Sequence, residues 1–242
     1  MTTAQPTVER YTTRLERTLP ALQDRIERAT SVAGRSTSSV RLVAVTKAHP
    51  LAAIDAALVA GLVDLGENRV QELSEKVMAR GRGAATWHMI GHLQTNKVRQ
   101  ALQLFDVVET VHSARLAQRI DAVARELGRV VPVYLEVNMG SEISKTGVDP
   151  DQVMQLAEAI ASLQHVKVAG LMAVPPFTPD PEGARPYYQK LRELRDELNQ
   201  RHILDYQVEG LSMGMSHDFE VAIEEGATVV RLGSSIWGSR PA

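Results

Sequence analysis

Short apolar runs alternate with amphipathic segments along most of the chain. Residues 113–127, for example, repeat apolar side chains at helical spacing. Residues 7–33 predict a further helix ahead of the first apolar run, with a break or kink at Pro20. The runs that predict strands are RLVAVT (41–46), VDL (63–65), TWHMI (86–90), FDVVET (105–110), VPVYLEV (131–137), VKVAGL (166–171), YQVEGL (206–211) and TVVRLG (228–233).

Strands that alternate with helices favour a parallel sheet with right-handed crossovers. Eight such units in 242 residues are typical of an α/β protein with a (β/α)8 TIM barrel, here with an extra N-terminal helix. An open, doubly wound sheet is the alternative. The proline-rich stretch 174–183 predicts a loop after the sixth strand. We therefore expect residues 1–242 to form a single domain.

The composition excludes several classes of function. Lys and Arg number 27 against 29 Asp and Glu, a net charge of −2, which disfavours a general nucleic-acid or membrane-surface binder. The chain has no cysteine, which excludes disulfides, thiolate catalysis and Cys-ligated zinc. The longest apolar stretch, 51–63, contains Asp55 and is too short to span a membrane. Charged residues near the N-terminus interrupt any signal peptide, so we expect a cytoplasmic protein.

In a barrel of this class, chemistry lies where the strands end and their loops begin. The first predicted strand is followed directly by Lys47. A lysine against apolar walls has a lowered pKa and forms a Schiff base with an aldehyde. A solvated lysine at a strand end is the structural alternative.

The last two strand–helix loops carry small residues. Ser216 follows Gly214, and we expect it to lead a helix whose N–H groups point outward. Gly233 and Ser234 follow the eighth strand, again with free N–H groups expected. Loops of this kind frequently bind phosphate in barrels.

Arg231 lies within the eighth predicted strand and is expected to point towards the centre of the barrel mouth. Together with Lys47 and the two loops, it fits a phosphorylated aldehyde, pyridoxal 5′-phosphate. Lys47 would bind the aldehyde, Ser216, Gly233 and Ser234 the phosphate, and Arg231 the ring nitrogen. Because arginine does not accept a proton, the ring nitrogen would stay neutral, which disfavours strong carbanion chemistry.

Two other motifs point to weaker hypotheses. His88 and His92 are four residues apart, but His88 falls in a strand, so we expect a core histidine and no metal site. GSEISKTG (140–147) is not a nucleotide P-loop because its lysine precedes Thr-Gly. Lys145 there is either a surface lysine or a mobile cationic contact, and whether it forms a second pyridoxal phosphate site is left open.

Motifs spread over residues 43–238 resemble the pyridoxal phosphate homeostasis protein family, whose barrel is similar to that of alanine racemase. They are VAVTKAHP, LGENRVQE, WHMIGHLQTNK, EVNMGSEISKTG, GLMAVPP and LSMGMSHDFEVAIEEGATVVRLGSSIWG. The resemblance implies one (β/α)8 domain with pyridoxal phosphate on Lys47. It also implies contacts from Asn68 near the ring, from Ser216, Gly233 and Ser234 at the phosphate, and from Arg231 at the pyridine nitrogen. His217 departs from the family, where an acidic residue is usual.

Three functions follow as hypotheses. The preferred one is a non-enzymatic regulator that holds, buffers or delivers pyridoxal phosphate to apo-enzymes and so affects amino-acid and keto-acid pools. An amino-acid racemase is the alternative, but only eleven residues follow Arg231, too few for the domain that supplies a second base in such enzymes. The third is a barrel enzyme for another phosphorylated metabolite, with Glu67 or Glu136 as acid–base group. A monomer or weak dimer is adequate for the site.

Overall fold

The computed structural model describes residues 7–140 and 146–238, and the strands of this part of the chain close into a parallel barrel. Each strand pairs with the next one along the chain, and the last pairs with the first, with Val43 beside Arg231. The predicted (β/α)8 barrel is confirmed, and the open sheet is excluded. The strands are β1 (Arg41–Val45), β2 (Asp64–Glu67), β3 (Thr86–Met89), β4 (Val107–Val111), β5 (Val131–Val137), β6 (Val166–Ala173), β7 (Gly210–Met215) and β8 (Val229–Leu232).

Helices surround the barrel. Helix α5 shows why they form: Ser113 caps its first turn by accepting from the amide of Leu116, and its apolar stripe is buried. The α-helices are α1 (Val8–Val32), α2 (Leu51–Val59), α3 (Val70–Arg80), α4 (Val98–Leu104), α5 (Ala114–Glu126), α6 (Val153–Ile160), α7 (Arg185–Gln200), α8 (Phe219–Glu224) and α9 (Ser234–Trp237). Short 3₁₀ helices lie at Thr37–Ser39, Arg82–Ala84, Thr95–Lys97, Pro150–Gln152 and Pro181–Ala184.

The N-terminal helix covers nearly all of the predicted residues 7–33 and is continuous. Helix α1 runs through Pro20 without the expected break. Leu15 and Leu22, on either side of the proline, are buried, while Pro20 itself is exposed. Helix α1 packs against α2, α8 and α9. This packing on both sides of Pro20 stabilises the helix although proline has no N–H group to donate.

The seventh strand is not where the apolar pattern placed it. The prediction was 206–211, whereas β7 spans Gly210–Met215 and Tyr206 lies in a bend. Gly and Ser are poor strand formers, so GLSMGM does not look like a strand. The barrel nevertheless needs small residues here: a Cβ on Gly170 of β6 would lie 2.3 Å from the carbonyl oxygen of Gly210.

The interior of the barrel is separate from the core between strands and helices. A small apolar cluster fills part of it, formed by Val43, Val107, Tyr134, Met172 and Val229. Buried polar and charged side chains of β3, β4, β7 and β8 are also present. No helix in residues 7–140 and 146–238 is long and apolar enough to cross a membrane.

Candidate functional site

A cavity of about 820 Å³ opens at the carboxyl ends of the strands. Its size is in the usual range for small-molecule sites. The loops after β1, β2, β7 and β8 contribute to it, together with β8 itself, although they are far apart in sequence. The structure thereby brings together all the predicted site residues in its wall: Lys47, Asn68, Ser216, Arg231, Gly233 and Ser234.

The turn that carries Lys47 is fixed on both sides. The Nζ of Lys76 donates to the carbonyl of Thr46 at 2.9 Å, and Glu72 Oε1 accepts from the amide of Ala48 at 2.6 Å. Ala48 has a φ of 62°, in the left-handed region that residues with a side chain rarely adopt. These contacts hold the chain in that conformation directly after Lys47.

The buried Lys76 is central to this turn. It also donates to Glu67 Oε1 at 2.6 Å, and Thr46 Oγ1 donates to the same oxygen at 2.5 Å. Burial raises the pKa of Glu67, while the ammonium of Lys76 opposes that effect. Glu67, one of the two acid–base candidates, is thus bound to Lys76 and Thr46 and supports the Lys47 turn. This role could not be predicted from sequence, because a lysine four residues after Glu72 on a helix looks like part of a surface ion pair.

Asn68 lies at the end of β2 under the loop that follows β3. A Cβ on Gly91 would lie 2.4 Å from the carbonyl oxygen of Asn68, so the loop closes over Asn68 only because residue 91 is glycine. The side-chain Oδ1 of Asn68 is buried and has no hydrogen-bond partner among the described residues. A buried acceptor without a donor is costly and marks a place where a ligand donor would be stabilising.

The two predicted phosphate loops meet at Ser216. Its Oγ accepts from the amides of Gly233 at 3.2 Å and Ser235 at 3.1 Å. The expectation that Ser216 leads a helix is wrong, since α8 begins at Phe219. The amides of Gly233 and Ser235 are also not free, because the Ser216 hydroxyl satisfies them at the start of α9. The result is a compact group of hydroxyls and amides, a chemistry that suits phosphate oxygens.

Arg231 is buried in the barrel and lines the floor of the cavity. Its Nη1 donates to Ser212 Oγ at 2.5 Å, and its Nη2 donates to the carbonyl of Ala173 at 2.8 Å. Ser212 donates in turn to Glu109 Oε2 at 2.6 Å. Neither Ser212 nor Glu109 was among the predicted site residues. Glu109 in the apolar strand VVETV was the available signal, because a carboxylate on a fully buried strand needs a partner.

His88 is a buried residue of β3, as predicted. Its Nδ1 lies 2.7 Å from Glu109 Oε1 and its Nε2 lies 3.1 Å from Asp64 Oδ1. Burial by itself would lower the pKa of His88, but the two carboxylates outweigh it and raise the pKa to about 9. His92 stacks on His112 instead, with ring centroids 4.9 Å apart. The described residues contain no group of three or more His, Asp or Glu that could hold a metal ion.

Glu136, the second acid–base candidate, lines the cavity from the end of β5. Its Oε1 accepts from Thr146 Oγ1 at 2.6 Å. Lys145 lies outside the described residues, so the hypothesis of a mobile cationic contact there stays untested.

Comparison with known proteins places the chain in a well-populated group. It matches the family described as alanine racemase, N-terminal domain, over residues 18–241. A pyridoxal phosphate homeostasis protein of Aquifex aeolicus is 43% identical over 222 residues, covering 92% of this chain and 96% of that protein.

Two solved structures are also similar. A protein of unknown function from Bifidobacterium adolescentis is 35% identical, with a TM-score of 0.88, covering 96% of this chain and 98% of that chain. PipY of Synechococcus elongatus, solved with pyridoxal phosphate bound, is 37% identical with a TM-score of 0.78, covering 88% of this chain and 100% of that chain. Both similarities extend over nearly the full length of the barrel.

Proposed function

Because this chain belongs to the family of pyridoxal phosphate homeostasis proteins, we propose that it binds pyridoxal 5′-phosphate and holds, buffers or delivers it. The cofactor supplies an electrophilic aldehyde and an electron-withdrawing pyridine ring when bound. The relative PipY has been solved with this molecule bound. The single observation that carries the proposal is that one cavity contains a partner for each part of the cofactor.

Each of these partners matches one chemical group. Lys47, on a turn that Lys76 and Glu72 hold in place, would hold the aldehyde carbon through its amine, with the aldehyde oxygen leaving as water. Ser216, Gly233 and Ser234 would hold the phosphate at the junction of the last two loops, where the Gly233 amide donates to the Ser216 hydroxyl in this structure.

The ring contacts lie between these two ends. Arg231 would donate to the pyridine nitrogen. The amide oxygen of Asn68, which has no hydrogen-bond partner among the described residues, would accept from a polar substituent of the ring. The polar groups that line the cavity thus match the polar groups of the cofactor.

We further propose that the chain is a carrier and not an enzyme. Arg231 donates at the ring nitrogen and cannot protonate it, which keeps the ring a weak electron sink. A racemase also needs a second base near the ring. No tyrosine between residues 7 and 140 or 146 and 238 lines the cavity, and burial raises the pKa of Tyr134 to about 12 and that of Tyr188 further still.

The remaining expectations are part of the same proposal. The family match over 18–241 supports one domain over 1–242. All six proposed ligand residues come from one chain, so a monomer or weak dimer is sufficient. We propose that the protein works in the cytoplasm and hands its cofactor to apo-enzymes that depend on pyridoxal phosphate.

Absorbance titration with pyridoxal phosphate tests cofactor binding. We expect the wild type to turn yellow, and borohydride to fix the cofactor to the chain. Lys47→Ala should do neither. Lys190→Ala, which removes an exposed lysine of α7, is the matched control and should behave as the wild type. No uptake by the wild type, or borohydride labelling of the Lys47→Ala variant at the wild-type level, would contradict the proposal.

Two further measurements separate the carrier from the racemase. Incubation of the loaded protein with D- or L-alanine in deuterium oxide should give no sustained exchange at the α-carbon. Loaded protein mixed with an apo-enzyme should restore that enzyme faster than cofactor released by diffusion alone. Sustained deuterium exchange would favour the racemase, and reactivation no faster than free diffusion would argue against direct delivery.

A further inference from the structure

A chain of hydrogen bonds crosses the barrel interior from the amino ends of the strands to the floor of the cavity. It starts at Asp64 and passes through His88 and Glu109 to Ser212 and Arg231. The links measure 3.1, 2.7, 2.6 and 2.5 Å in that order. We call these five residues the interior chain. They come from five different strands, so the interior chain connects opposite sides of the barrel through hydrogen bonds.

The interior chain consists mainly of charged groups in a place where apolar residues would fit. Glu109 is fully buried, yet His88 and Arg231 hold its pKa below the usual value against the effect of burial. Buried ion pairs seldom stabilise a fold more than well-packed apolar side chains do. Neighbouring interior positions are indeed apolar, as Val43, Val107 and Met172 show. The charges therefore call for an explanation other than stability.

The direction of each hydrogen bond gives that explanation. An ionised carboxylate only accepts, so Ser212 must use its one hydrogen to donate to Glu109. Its oxygen lone pair then accepts from Nη1 of Arg231. The carbonyl of Ala173 fixes Nη2. Two anchored nitrogens define the plane of the guanidinium of Arg231, which lines the cavity.

We propose that Glu109 is a positioning residue for the pyridine nitrogen: acting through Ser212, it orients Arg231 so that an N–H group faces that atom. This inference rests on the proposed binding of pyridoxal phosphate. Glu109 does not contact the ligand itself. His88 and Asp64 support the same arrangement. The imidazole of His88 bonds to the other carboxylate oxygen of Glu109, Oε1, and Asp64 bonds to the imidazole.

An analogue that lacks only the ring nitrogen tests this role. In the analogue, carbon replaces the pyridine nitrogen, while the aldehyde and phosphate remain. The ratio of its dissociation constant to that of pyridoxal phosphate measures the contact from Arg231 to nitrogen. For the wild type we expect a ratio of roughly tenfold or more, as for a charged hydrogen bond. Glu109→Gln and Ser212→Ala should each lower that ratio at least threefold, towards the value for Arg231→Gln.

Glu67→Gln is the matched control. It makes the same substitution at another fully buried glutamate of the barrel, but one bonded to Lys76 and Thr46 beside Lys47. It should weaken both ligands by a similar factor and leave the ratio at its wild-type value. A purely structural role of Glu109 would produce that same result, so the ratio separates positioning from loss of stability.

The outcomes distinguish this inference from the proposal beneath it. If the wild type binds neither pyridoxal phosphate nor the analogue, the proposed function is wrong, and the inference that rests on it is wrong too. If the wild type has a high ratio of dissociation constants and both Glu109→Gln and Ser212→Ala retain it, the inference is wrong but the proposed function stands. If Glu109→Gln does not fold, the smaller change Ser212→Ala decides, because it breaks the link to Arg231 and leaves the contact of Glu109 with His88 intact.

Discussion

The buried His88 should make the stability of the protein depend on pH over an unusual range. An ordinary histidine titrates near 6.5, but the hydrogen bonds from Asp64 and Glu109 overcome the effect of burial and raise the pKa of His88 to about 9. The folded state thus binds a proton that the unfolded state releases between these two values. The resulting stabilisation is complete below pH 6.5 and is lost as the pH rises towards 9.

The size of the effect follows from the two pKa values. Each pKa unit corresponds to about 1.4 kcal/mol, so the step from 6.5 to about 9 gives a loss of about 3 kcal/mol. That is a large share of the about 5–15 kcal/mol by which typical domains are stable. The free energy of unfolding should fall by nearly this amount between pH 6 and pH 10.

The charged and titratable groups around His88 are carboxylates, guanidinium groups and one tyrosine. Arg41 lies 3.7 Å from Asp64, Arg231 is a guanidinium, and the pKa of Tyr134 is raised to about 12. The carboxylates of Asp64 and Glu109 both bond to the imidazole, and His88 and Arg231 hold the pKa of Glu109 below its usual value against the effect of burial. The chain also has no cysteine thiol. The contribution of this imidazole is isolated by comparing the wild type with a variant that lacks it.

Urea unfolding of the apo-protein at pH 6, 7, 8, 9 and 10 measures this. Wild type should lose stability across the series, whereas His88→Gln keeps a donor for Glu109 but cannot titrate and should give a flatter curve. His202→Gln, at an exposed histidine in the turn after α7, should follow the wild type. Parallel curves for wild type and His88→Gln would show that His88 is neutral in the folded protein and refute the reasoning.

Three further predictions concern the cavity. Gly91→Ala should lower the urea midpoint and weaken cofactor binding, because its Cβ would meet Asn68 at 2.4 Å. Arg231→Ala should weaken pyridoxal phosphate about 10- to 100-fold in absorbance titrations, as expected for a charged hydrogen bond. Lys76→Met leaves Glu67 unpaired and should cost about 3–5 kcal/mol in urea unfolding. It should also weaken pyridoxal phosphate more than pyridoxine 5′-phosphate, which has no aldehyde for Lys47; equal weakening would argue against an effect through that turn.

Much of the barrel could be predicted because its signals are local. The alternation of apolar runs and amphipathic segments sets the order of strands and helices, and β5 occupies the predicted residues 131–137. In this fold, the residues directly after the strands converge at one end of the barrel. That is why Lys47 and Ser216, which are far apart along the chain, could be assigned to one cavity before the structure was known.

The features that the sequence did not predict also have physical causes. The strand β7 is rich in glycine and serine because neighbouring backbones approach closely there, a reason that local propensity does not contain. The role of Ser216 at the start of α9 depends on contact between two loops. The partners of Glu109 lie on β3 and β7, so no spacing in the sequence reveals them.

The serine at position 212 shows how the interior chain reconciles two opposing needs. A buried arginine needs a negative charge nearby, yet a carboxylate in direct contact would take up the N–H groups that the ligand requires. Ser212 lies between them: it bonds to both groups and leaves Arg231 Nη1 3.9 Å from Glu109 Oε2. Charge compensation therefore reaches the guanidinium without occupying its cavity face. An alanine at this position would remove the bridge, and an aspartate would bring a charge into contact with Arg231, so both should weaken the contact to the ring nitrogen.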